Sequence, residues 1–454
     1  MEGNKNDKKA FLNNINDLNS IFWKTCSNIW HSPFYPNRKG NYFNFPLITD
    51  LMPWQHSGVQ FTRTWPIGVD IATLKERWRV LMESDTRDNL FKESRDRKIA
   101  GEYQNIFYSR SEIPIIKLTT STPSPNIIRY AYRSFIRCWV ILDNRLGDFL
   151  RPILWRNHSE RQLYFISLFS QPLGKGPAIT ACADPPDLDY YRGSYGAKAT
   201  FPLYRDNEGK KPNILEGLLN IIKFVYKFHV TPEDFLAYLY GILAQPHFTE
   251  LYASELETCE IRVPITKDAK LFKKVHKVGA KLLWLHTYGE RYVLKGMQRG
   301  KINPGSTRCI KPVPGDIEDY PETFEFYRSS QKLRVGAGEF QPVMSEVYDF
   351  EVSGLKIVQS WLKYRMKKGA GKKSSPLDDI RPERWTSQFT TELLELLWIL
   401  EETVKVYPEQ AELLEQVVSN SCFTADELPP VPKESRKPPK IPQFDNSLFD
   451  GEKG

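Results

Sequence analysis

Hydrophobic positions in two parts of the chain form the short β-branched and aromatic runs that predict strands. Residues 106–203 contain the runs IIKLTT, YAYRSFIRCWVILD and RQLYFISLF, which are separated by turn-forming residues. A second strand-rich portion, at about 308–359, is broken by several proline and glycine residues. We therefore predict a predominantly β module in the first half of the chain and a smaller β-rich portion later.

Apolar residues at helical spacing dominate elsewhere. They recur through residues 71–97, 213–300 and 376–420. The clearest start signal is Thr231, which can cap a helix whose first turn holds a proline and two acidic residues. The third of these portions carries a stripe that must face a core or a partner helix, formed by Leu393, Leu397, Leu400 and Val404.

The order of these elements predicts an α+β fold in which a mixed β-rich module is accompanied by helical portions. The elements do not alternate as βαβ units, so we expect no doubly wound nucleotide-binding sheet. The predicted divisions are a poorly ordered lead-in (1–42), a mixed then β-rich module (43–210), a helical module (211–300), a β-rich segment (301–359), a basic loop with a helical bracing segment (360–425) and a proline-rich tail (426–454).

Composition narrows the class of protein. Hydrophobic residues make up 41% and aromatic residues 13% of the 454 positions, which is too rich in core-forming residues for a disordered chain. The net charge of +8 is modest, so binding to nucleic acid depends on local clustering. Six cysteines occur singly, which predicts reduced thiols and no zinc site. No run suits a signal peptide or a membrane helix, so we expect a cytoplasmic protein.

The densest cluster of positive charge lies in the stretch 348–379, YDFEVSGLKIVQSWLKYRMKKGAGKKSSPLDD. Between Trp361 and Leu377 there is no acidic residue. The basic residues of this interval are Lys363, Arg365, Lys367, Lys368, Lys372 and Lys373. Such a concentration of positive charge is typical of a surface that contacts phosphates.

A second basic series runs through the β-rich module, where tyrosines and tryptophans are interleaved with arginines. Its members are Arg129, Arg133, Arg137, Arg145, Arg151 and Arg156. The four-residue spacing of the first three keeps them on one face of a strand or a helix, and planar groups suit grooves and bases. Tyr190, Tyr191, Arg192 and Lys198 belong to an aromatic–basic loop of similar character. A solvated basic face is the competing interpretation of both.

Catalytic chemistry is largely missing. Asp184, Pro185, Pro186 and Asp187 resemble the DPPY motif of amino-group DNA methyltransferases, but Asp187 cannot stack on a base, and a proline turn is the competing interpretation. His286 and Glu290, four residues apart, are an acid/base pair or a local salt link. We find no nucleotide loop or metal-ligand spacing, and these four residues at 184–187 remain the weak catalytic candidates.

Seven segments in matching order resemble the C-terminal specificity region of type ISP restriction-modification enzymes, which contain an adenine-specific DNA methyltransferase. The resemblance covers roughly residues 45–430. The segments are RTWPIGVDIATLKERW (63–78), YRSFIRCWVILDNR (132–145), PDLDYYRGSYGAKATFPLYRD (186–206), VTPEDFLAYLYGILAQPHFTELYASEL (230–256), RVPITKD (262–268), LWLHTYGERY (283–292) and YDFEVSGLKIVQSWLKYRMKKGAGKKSSPLDDIRPERWT (348–386).

The resemblance implies a target-recognition module for double-stranded DNA, because in that family this region reads an asymmetric site. The module at 43–210 is then the recognition module, with base readout between Arg129 and Lys198 and phosphate contacts at the basic loop. The methyl-donor loop, the NPPY-type motif and the motor motifs are absent, so no catalytic activity is carried over. No cofactor is expected on this chain, whereas S-adenosylmethionine, ATP and magnesium are expected in separate methyltransferase and nuclease-translocase modules.

Two alternatives stay open at the level of sequence. One is a divergent or truncated S-adenosylmethionine-dependent adenine DNA methyltransferase that uses residues 184–187. The other is a non-catalytic scaffold in a phage-defence complex, in which the basic surface serves only solubility.

Overall fold

The architecture is given by a computed structural model, which describes residues 9–11, 13–15, 17, 41–191, 198–293, 295–369, 371 and 373–440. The chain divides into a first unit, residues 1–43, and a second unit, residues 44–454. The elements named below all lie in the second unit.

Helices of very different length contribute to this unit. Their bounds are α1 (Ile48–Leu51), α2 (Ile71–Glu83), α3 (Arg87–Phe91), α4 (Pro152–Arg156), α5 (Leu218–Tyr226), α6 (Pro232–Leu243), α7 (Pro246–Leu251), α8 (Ala269–His286), α9 (Ser345–Tyr348), α10 (Ile357–Arg365) and α11 (Ser387–Ser419). Short 3-10 turns lie at Ile115–Lys117, Leu256–Thr258, Pro376–Asp379, Ala425–Glu427 and Lys433–Arg436.

The strands named here are short, and the pairs they form with one another are antiparallel. Their bounds are β1 (Ile67–Gly68), β2 (Tyr103–Gln104), β3 (Ser111–Glu112), β4 (Ile127–Arg133), β5 (Ile136–Ile141), β6 (Tyr164–Ile166), β7 (Thr180–Cys182), β8 (Thr200–Pro202), β9 (Ile265–Thr266), β10 (Arg308–Lys311), β11 (Phe324–Tyr327), β12 (Lys332–Val335), β13 (Gly338–Gln341), β14 (Glu351–Val352), β15 (Leu355–Lys356) and β16 (Cys422–Phe423). The larger sheets have the orders β1-β5-β4, β7-β6-β8 and β10-β13-β12-β11.

This arrangement confirms the predicted α+β class without a doubly wound sheet. The start of α6 follows the predicted signal, since the Thr231 hydroxyl accepts the backbone N–H of Asp234 (3.0 Å) and the Asp234 carboxylate accepts that of Thr231 (2.9 Å). The long helix α11 buries most of the predicted stripe: Leu393, Leu397 and Leu400 are fully buried.

Two local predictions are wrong. The run IIKLTT forms a 3-10 turn at Ile115–Lys117 instead of a strand, because Lys117 donates its backbone N–H to the carbonyl of Pro114 (2.9 Å). The helix predicted through 71–97 ends at Glu83, where the hydroxyl of Ser84 accepts the backbone N–H of Thr86 (3.1 Å) and competes with helical hydrogen bonding.

The helices α6 and α8 form the tightest crossing of the core. A Cβ atom placed on Gly279 would lie 1.8 Å from the carbonyl oxygen of Ala237, and one on Gly241 would lie 2.5 Å from that of Val275. Two glycines therefore allow the backbones to approach closely. Helix α11 packs across α8 and also contacts α6 and α7, so it spans the helical part of the unit.

Candidate nucleic-acid interface

The β4–β5 hairpin carries the first three arginines of the predicted basic series, but two of them pair with carboxylates of α11. Arg129 Nη2 lies 3.2 Å from Glu392 Oε1, and Arg137 Nη2 lies 3.8 Å from Glu395 Oε2. Their side chains are 27% and 22% exposed. The four-residue spacing spans the hairpin turn, which puts Arg129 on β4 and Arg137 on β5. The expected free basic face is therefore not present; these arginines fasten the hairpin to α11.

Asp187, in the sequence that resembles a methyltransferase motif, lies inside the protein and binds Arg133, the remaining arginine of the hairpin. Its carboxylate accepts hydrogen bonds from Arg133 (2.6 Å), from the Tyr130 hydroxyl (2.6 Å) and from the backbone N–H of Asp189 (2.9 Å). The carbonyl oxygen of Pro186 accepts a backbone N–H from Val59 (2.8 Å). These oxygens of Asp187 and Pro186 already have protein partners, so neither is free to hold a substrate amine.

The later arginines of the series also contact the protein interior. Arg145 is 7% exposed and lies 2.5 Å from the carboxylate two residues before it. Arg151 and Arg156 each donate a hydrogen bond from Nε to a backbone carbonyl, of Gly58 (3.3 Å) and Ile106 respectively. Part of each guanidinium is therefore used to hold the backbone in place.

The aromatic–basic loop does not present its tyrosines to solvent. Tyr190 and Tyr191 are 2% and 0% exposed, and their hydroxyls donate to backbone carbonyls at 3.3 and 3.4 Å. Burial of the two apolar rings stabilises the fold, and this gain outweighs the local sequence pattern that predicted an exposed loop. Arg192 lies outside the described residues, and Lys198 is exposed.

The basic loop, which we define as residues 366–374, follows α10 and retains exposed lysines. Lys363 at the end of α10 and Lys368 in the loop are exposed, and neither has a carboxylate within 4.0 Å in the part of the chain that the structure describes. Lys372 lies outside the described residues. The charges of Lys363 and Lys368 are therefore available to a ligand.

Two further lysines of the loop make ion pairs at the surface. Lys367 Nζ lies 3.5 Å from Glu322, with side chains 46% and 50% exposed, and Lys373 pairs with Asp379. Exposed pairs of this kind contribute about 0–1 kcal/mol, because water screens both charges. A phosphate can therefore replace the carboxylate at little cost.

Arg365 is not part of this surface. Its side chain is 1% exposed, stacks on Trp361 at 3.8 Å and lies 3.0 Å from Glu392 Oε2. Burial opposes the charge of Glu392, but Arg365 and Arg129 outweigh it and lower the pKa of this carboxyl. Glu392 thus joins α10 and the β4–β5 hairpin to α11 and fixes the base of the basic loop.

A cleft beside the basic loop brings Lys373, which the sequence had singled out, together with Tyr132, Tyr364 and Arg381. The rings of Tyr132 and Tyr364 meet edge to face with centroids 5.4 Å apart, and Lys373 and Arg381 line the same cleft. The Arg381 guanidinium packs on the loop at Gly369, where a Cβ atom would lie 1.3 Å from Nη1 and where φ is +56°. We call these four side chains (Tyr132, Tyr364, Lys373, Arg381) the aromatic–basic cleft.

Arg381 and its exposed neighbour Arg384 were not identified from the sequence, because acidic residues precede and separate them and so interrupt the run of positive charge. A usable signal was their position within the last of the seven resembling segments.

The predicted pair of His286 and Glu290 does not form, since His286 is 3% exposed and Glu290 lies 3.0 Å from Arg299.

Other kinds of site find no support in the described ranges. No group of three or more histidine, cysteine, aspartate or glutamate side chains there is placed to hold a metal ion. None of the described helices combines the length and the apolar character that crossing a membrane requires.

Comparison with known proteins places this geometry in a family context. A family model described as the type ISP C-terminal specificity domain matches residues 50–396. No curated protein matches the chain.

Solved structures with the same fold are more distant in sequence. A cryo-EM structure of a DrdV–DNA complex has a TM-score of 0.59 at 14% identity and covers 92% of this chain and 42% of its own. A nuclease-deletion mutant of the type ISP restriction-modification enzyme LlaGI, in complex with a DNA substrate mimic, has a TM-score of 0.53 at 16% identity, covering 91% and 32%.

The ATP-dependent type ISP restriction-modification enzyme LlaBIII bound to DNA has a TM-score of 0.54 at 15% identity, covering 87% and 25%. At these identities the likeness indicates a shared fold. The chain spans less than half the length of each of the three chains.

Proposed function

We propose a function that proceeds from the family: this chain belongs to the type ISP C-terminal specificity domains, whose model spans residues 50–396. Its role in this proposal is to bind double-stranded DNA and to recognise a particular base sequence. The three structures of the same fold are all described as complexes with DNA or a DNA mimic, which supports the proposal.

The observation that carries the proposal is the pair of unpaired lysines on a rigid support. Lys363 and Lys368 are exposed without a carboxylate partner in the described part of the chain, while Arg365 between them is fixed to Glu392 at 3.0 Å. Because Arg365 holds the end of α10 in place, these ammonium groups can meet phosphates without a large loss of backbone freedom. In our proposal the basic loop sets the position of the duplex through its phosphates.

Base readout in this proposal belongs to side chains that keep free hydrogen-bonding groups at the surface. Arg381 and Arg384 suit this role, because a guanidinium can donate two hydrogen bonds to the major-groove edge of guanine. Lys198, on the other side of the undescribed segment 192–197, is a further proposed contact. The buried arginines of the β4–β5 hairpin act indirectly, by holding the surface in shape.

Selection from a pool of random duplexes tests sequence recognition. We expect a defined sequence to be enriched by the purified chain, and its affinity to fall steeply as salt is raised, because bound phosphates release counterions. Retention of all sequences in proportion to their input abundance would refute recognition.

Substitutions in the basic loop and the cleft separate positioning from readout. Lys363→Glu with Lys368→Glu should weaken binding to every sequence alike and reduce the slope of log affinity against log salt by roughly 2. Arg381→Gln should relax the preference at one base pair, at a cost of about 1–3 kcal/mol. Lys117→Glu, at an exposed lysine of the 3-10 turn 115–117, is the control and should leave the preference unchanged.

The remainder of the activity is proposed to reside in other modules, because the chain covers 42% or less of the similar structures. A methyltransferase with S-adenosylmethionine and a nuclease-translocase with ATP and magnesium would use the DNA that this chain positions. Calorimetry of the purified chain with S-adenosylmethionine should give no binding heat. Saturable binding would instead favour the alternative of a divergent methyltransferase.

A further inference from the structure

Helix α8 exposes a row of lysines along the side opposite its buried face. Lys270, Lys273, Lys274 and Lys277 are all exposed, whereas Leu271, Phe272, Val275 and Val278 are buried. Residues three, four and seven apart share one side of a helix, and seven residues advance it by about 10 Å. The row is therefore a continuous stripe of positive charge.

No carboxylate in the described ranges lies within 4.0 Å of these four ammonium groups. The lysines on either side of the row are different, since Lys267 lies 2.5 Å from Glu427 and Lys281 lies 2.9 Å from Glu402. Asp268, at the start of the helix, accepts the backbone N–H groups of Lys270 (2.7 Å) and the next residue (3.1 Å). Its charge is thus directed at the helix terminus.

The end of α5 extends this surface. Lys273 Nζ lies over the ring of Phe228 at 4.3 Å, which joins α8 to the end of α5. Lys227 Nζ lies over Phe224 at 4.2 Å, and the Phe224 side chain is 75% exposed. Lys223 adds a further exposed lysine without an ion pair among the described residues. We define the lysine face as Lys223, Lys227, Lys270, Lys273, Lys274 and Lys277.

The charge of this surface selects its ligand. Duplex DNA carries one negative charge for about every 1.7 Å of its axis, so a row about 10 Å long meets several phosphates. An ammonium group contacts phosphate as a point charge and reads no base, so such a contact is independent of sequence. A folded protein gains nothing by itself from six like charges that have no carboxylate within 4.0 Å among the described residues, because their mutual repulsion opposes the compact state.

We infer that the lysine face binds the phosphate backbone of DNA as a second contact surface, separate from the basic loop. The inference rests on the proposed function in one respect: it assumes that the chain binds DNA. It does not require that the chain recognise a particular sequence. The second surface supplies affinity for any duplex, and the aromatic–basic cleft and its neighbours supply the preference.

Removal of charge from α8 tests the inference. Lys270→Gln, Lys273→Gln, Lys274→Gln and Lys277→Gln, combined in the full chain, should weaken binding to a random 40-bp duplex by about 10- to 100-fold at moderate salt. The slope of log affinity against log salt should fall by roughly 3–4, since each phosphate contact contributes about 0.9. The ratio of affinities for selected and random sequence should not change.

A matched pair of variants controls for the general loss of charge. Lys273→Gln with Lys277→Gln removes two unpaired lysines, while Lys281→Gln with Lys405→Gln removes two that lie within 3.0 Å of Glu402. The first pair should lower the salt slope by roughly 2 and the second should leave it unchanged. Circular dichroism should report the same helix content for all variants.

Unchanged affinity and salt slope in the fourfold variant would overturn the inference even if a selected sequence is still preferred. If the wild-type chain shows no preference for any sequence but the fourfold variant still binds DNA more weakly, the proposed function is refuted and the inference stands. If Phe224→Asp abolishes capture of a separate module while the lysine variants bind DNA normally, the surface binds protein and the inference is wrong.

Discussion

His286 joins three helices through a buried chain of hydrogen bonds. Its Nδ1 lies 2.5 Å from the Tyr240 hydroxyl on α6, and its Nε2 lies 2.8 Å from the Thr403 hydroxyl on α11. Thr403 donates its own proton to the carbonyl of Ile399 (2.7 Å), so it accepts from Nε2–H. The neutral ring then accepts the proton of Tyr240 at Nδ1, so both nitrogens of His286 have a hydrogen-bond partner.

Protonation of His286 is expected to destabilise the fold. Burial lowers its pKa to about 3, whereas histidine in an unfolded chain titrates near 6.5. Between these values the unfolded state binds a proton that the folded state does not, so the free energy of unfolding falls as the pH is lowered through this interval. The loss reaches roughly 4 kcal/mol at the acid end. Urea unfolding midpoints between pH 7.5 and pH 4 measure it.

The variant His286→Gln isolates this contribution. Glutamine does not titrate, so the variant should be less stable at pH 7.5 but should lose less stability on acidification than the wild type. Burial also lowers the pKa of His56 and His158, so the variant retains part of the pH dependence. Equal losses in the two proteins would show that His286 does not contribute.

At the scale of secondary-structure elements, the sequence predicted those features that are determined by neighbouring residues. The capping box at Thr231 and the buried stripe of α11 are set by a few neighbouring residues and by helical periodicity, and both are present. The strands β4 and β5 follow from the run YAYRSFIRCWVILD. The turn at Ile115–Lys117 was missed because its β-branched residues also suit a strand, and only the surrounding contacts distinguish the two.

The partners of these elements could not be predicted in the same way. Arg129 was assigned to a DNA surface because arginines interleaved with aromatic residues suit either a groove or a core, and Arg365 because it lies in a run of positive charge. Their common partner, Glu392, is 263 residues from Arg129 along the chain. Nothing in the local sequence reports such a pairing, so the charge that a fold neutralises internally could not be separated from the charge it leaves for a ligand.

At the scale of the whole molecule, the two kinds of cation have different roles. Arg129, Arg133 and Arg365 are largely buried in ion pairs, where the planar guanidinium fits a carboxylate. Lys270, Lys273, Lys274 and Lys277 on α8 and Lys363 on α10 stay exposed and without such partners among the described residues. The modest net charge of +8 therefore does not report the local positive potential at α8 and α10, because exposed lysines without carboxylate partners are concentrated there.

The segment after α11 is bound to the middle of the unit. β16 pairs with β9, and Arg205 donates from Nη1 to the carbonyl of Ser435 (2.8 Å) and from Nη2 to that of Lys437 (2.7 Å). Arg205→Ala should lower the free energy of unfolding by roughly 1–2 kcal/mol, because two charge-assisted hydrogen bonds at a half-buried position are lost.

The control for this prediction is Arg95→Ala, which removes an arginine that is 84% exposed and pairs only with the adjacent Asp96 among the described residues. Its cost should stay below about 0.5 kcal/mol, since exposed pairs contribute little. Urea unfolding at pH 7.5 compares the two variants, and DNA affinity should be the same in both. A larger loss of stability for Arg205→Ala than for Arg95→Ala is expected if the C-terminal segment stabilises the fold. Equal losses would mean that the contacts of this segment contribute nothing to the free energy of unfolding.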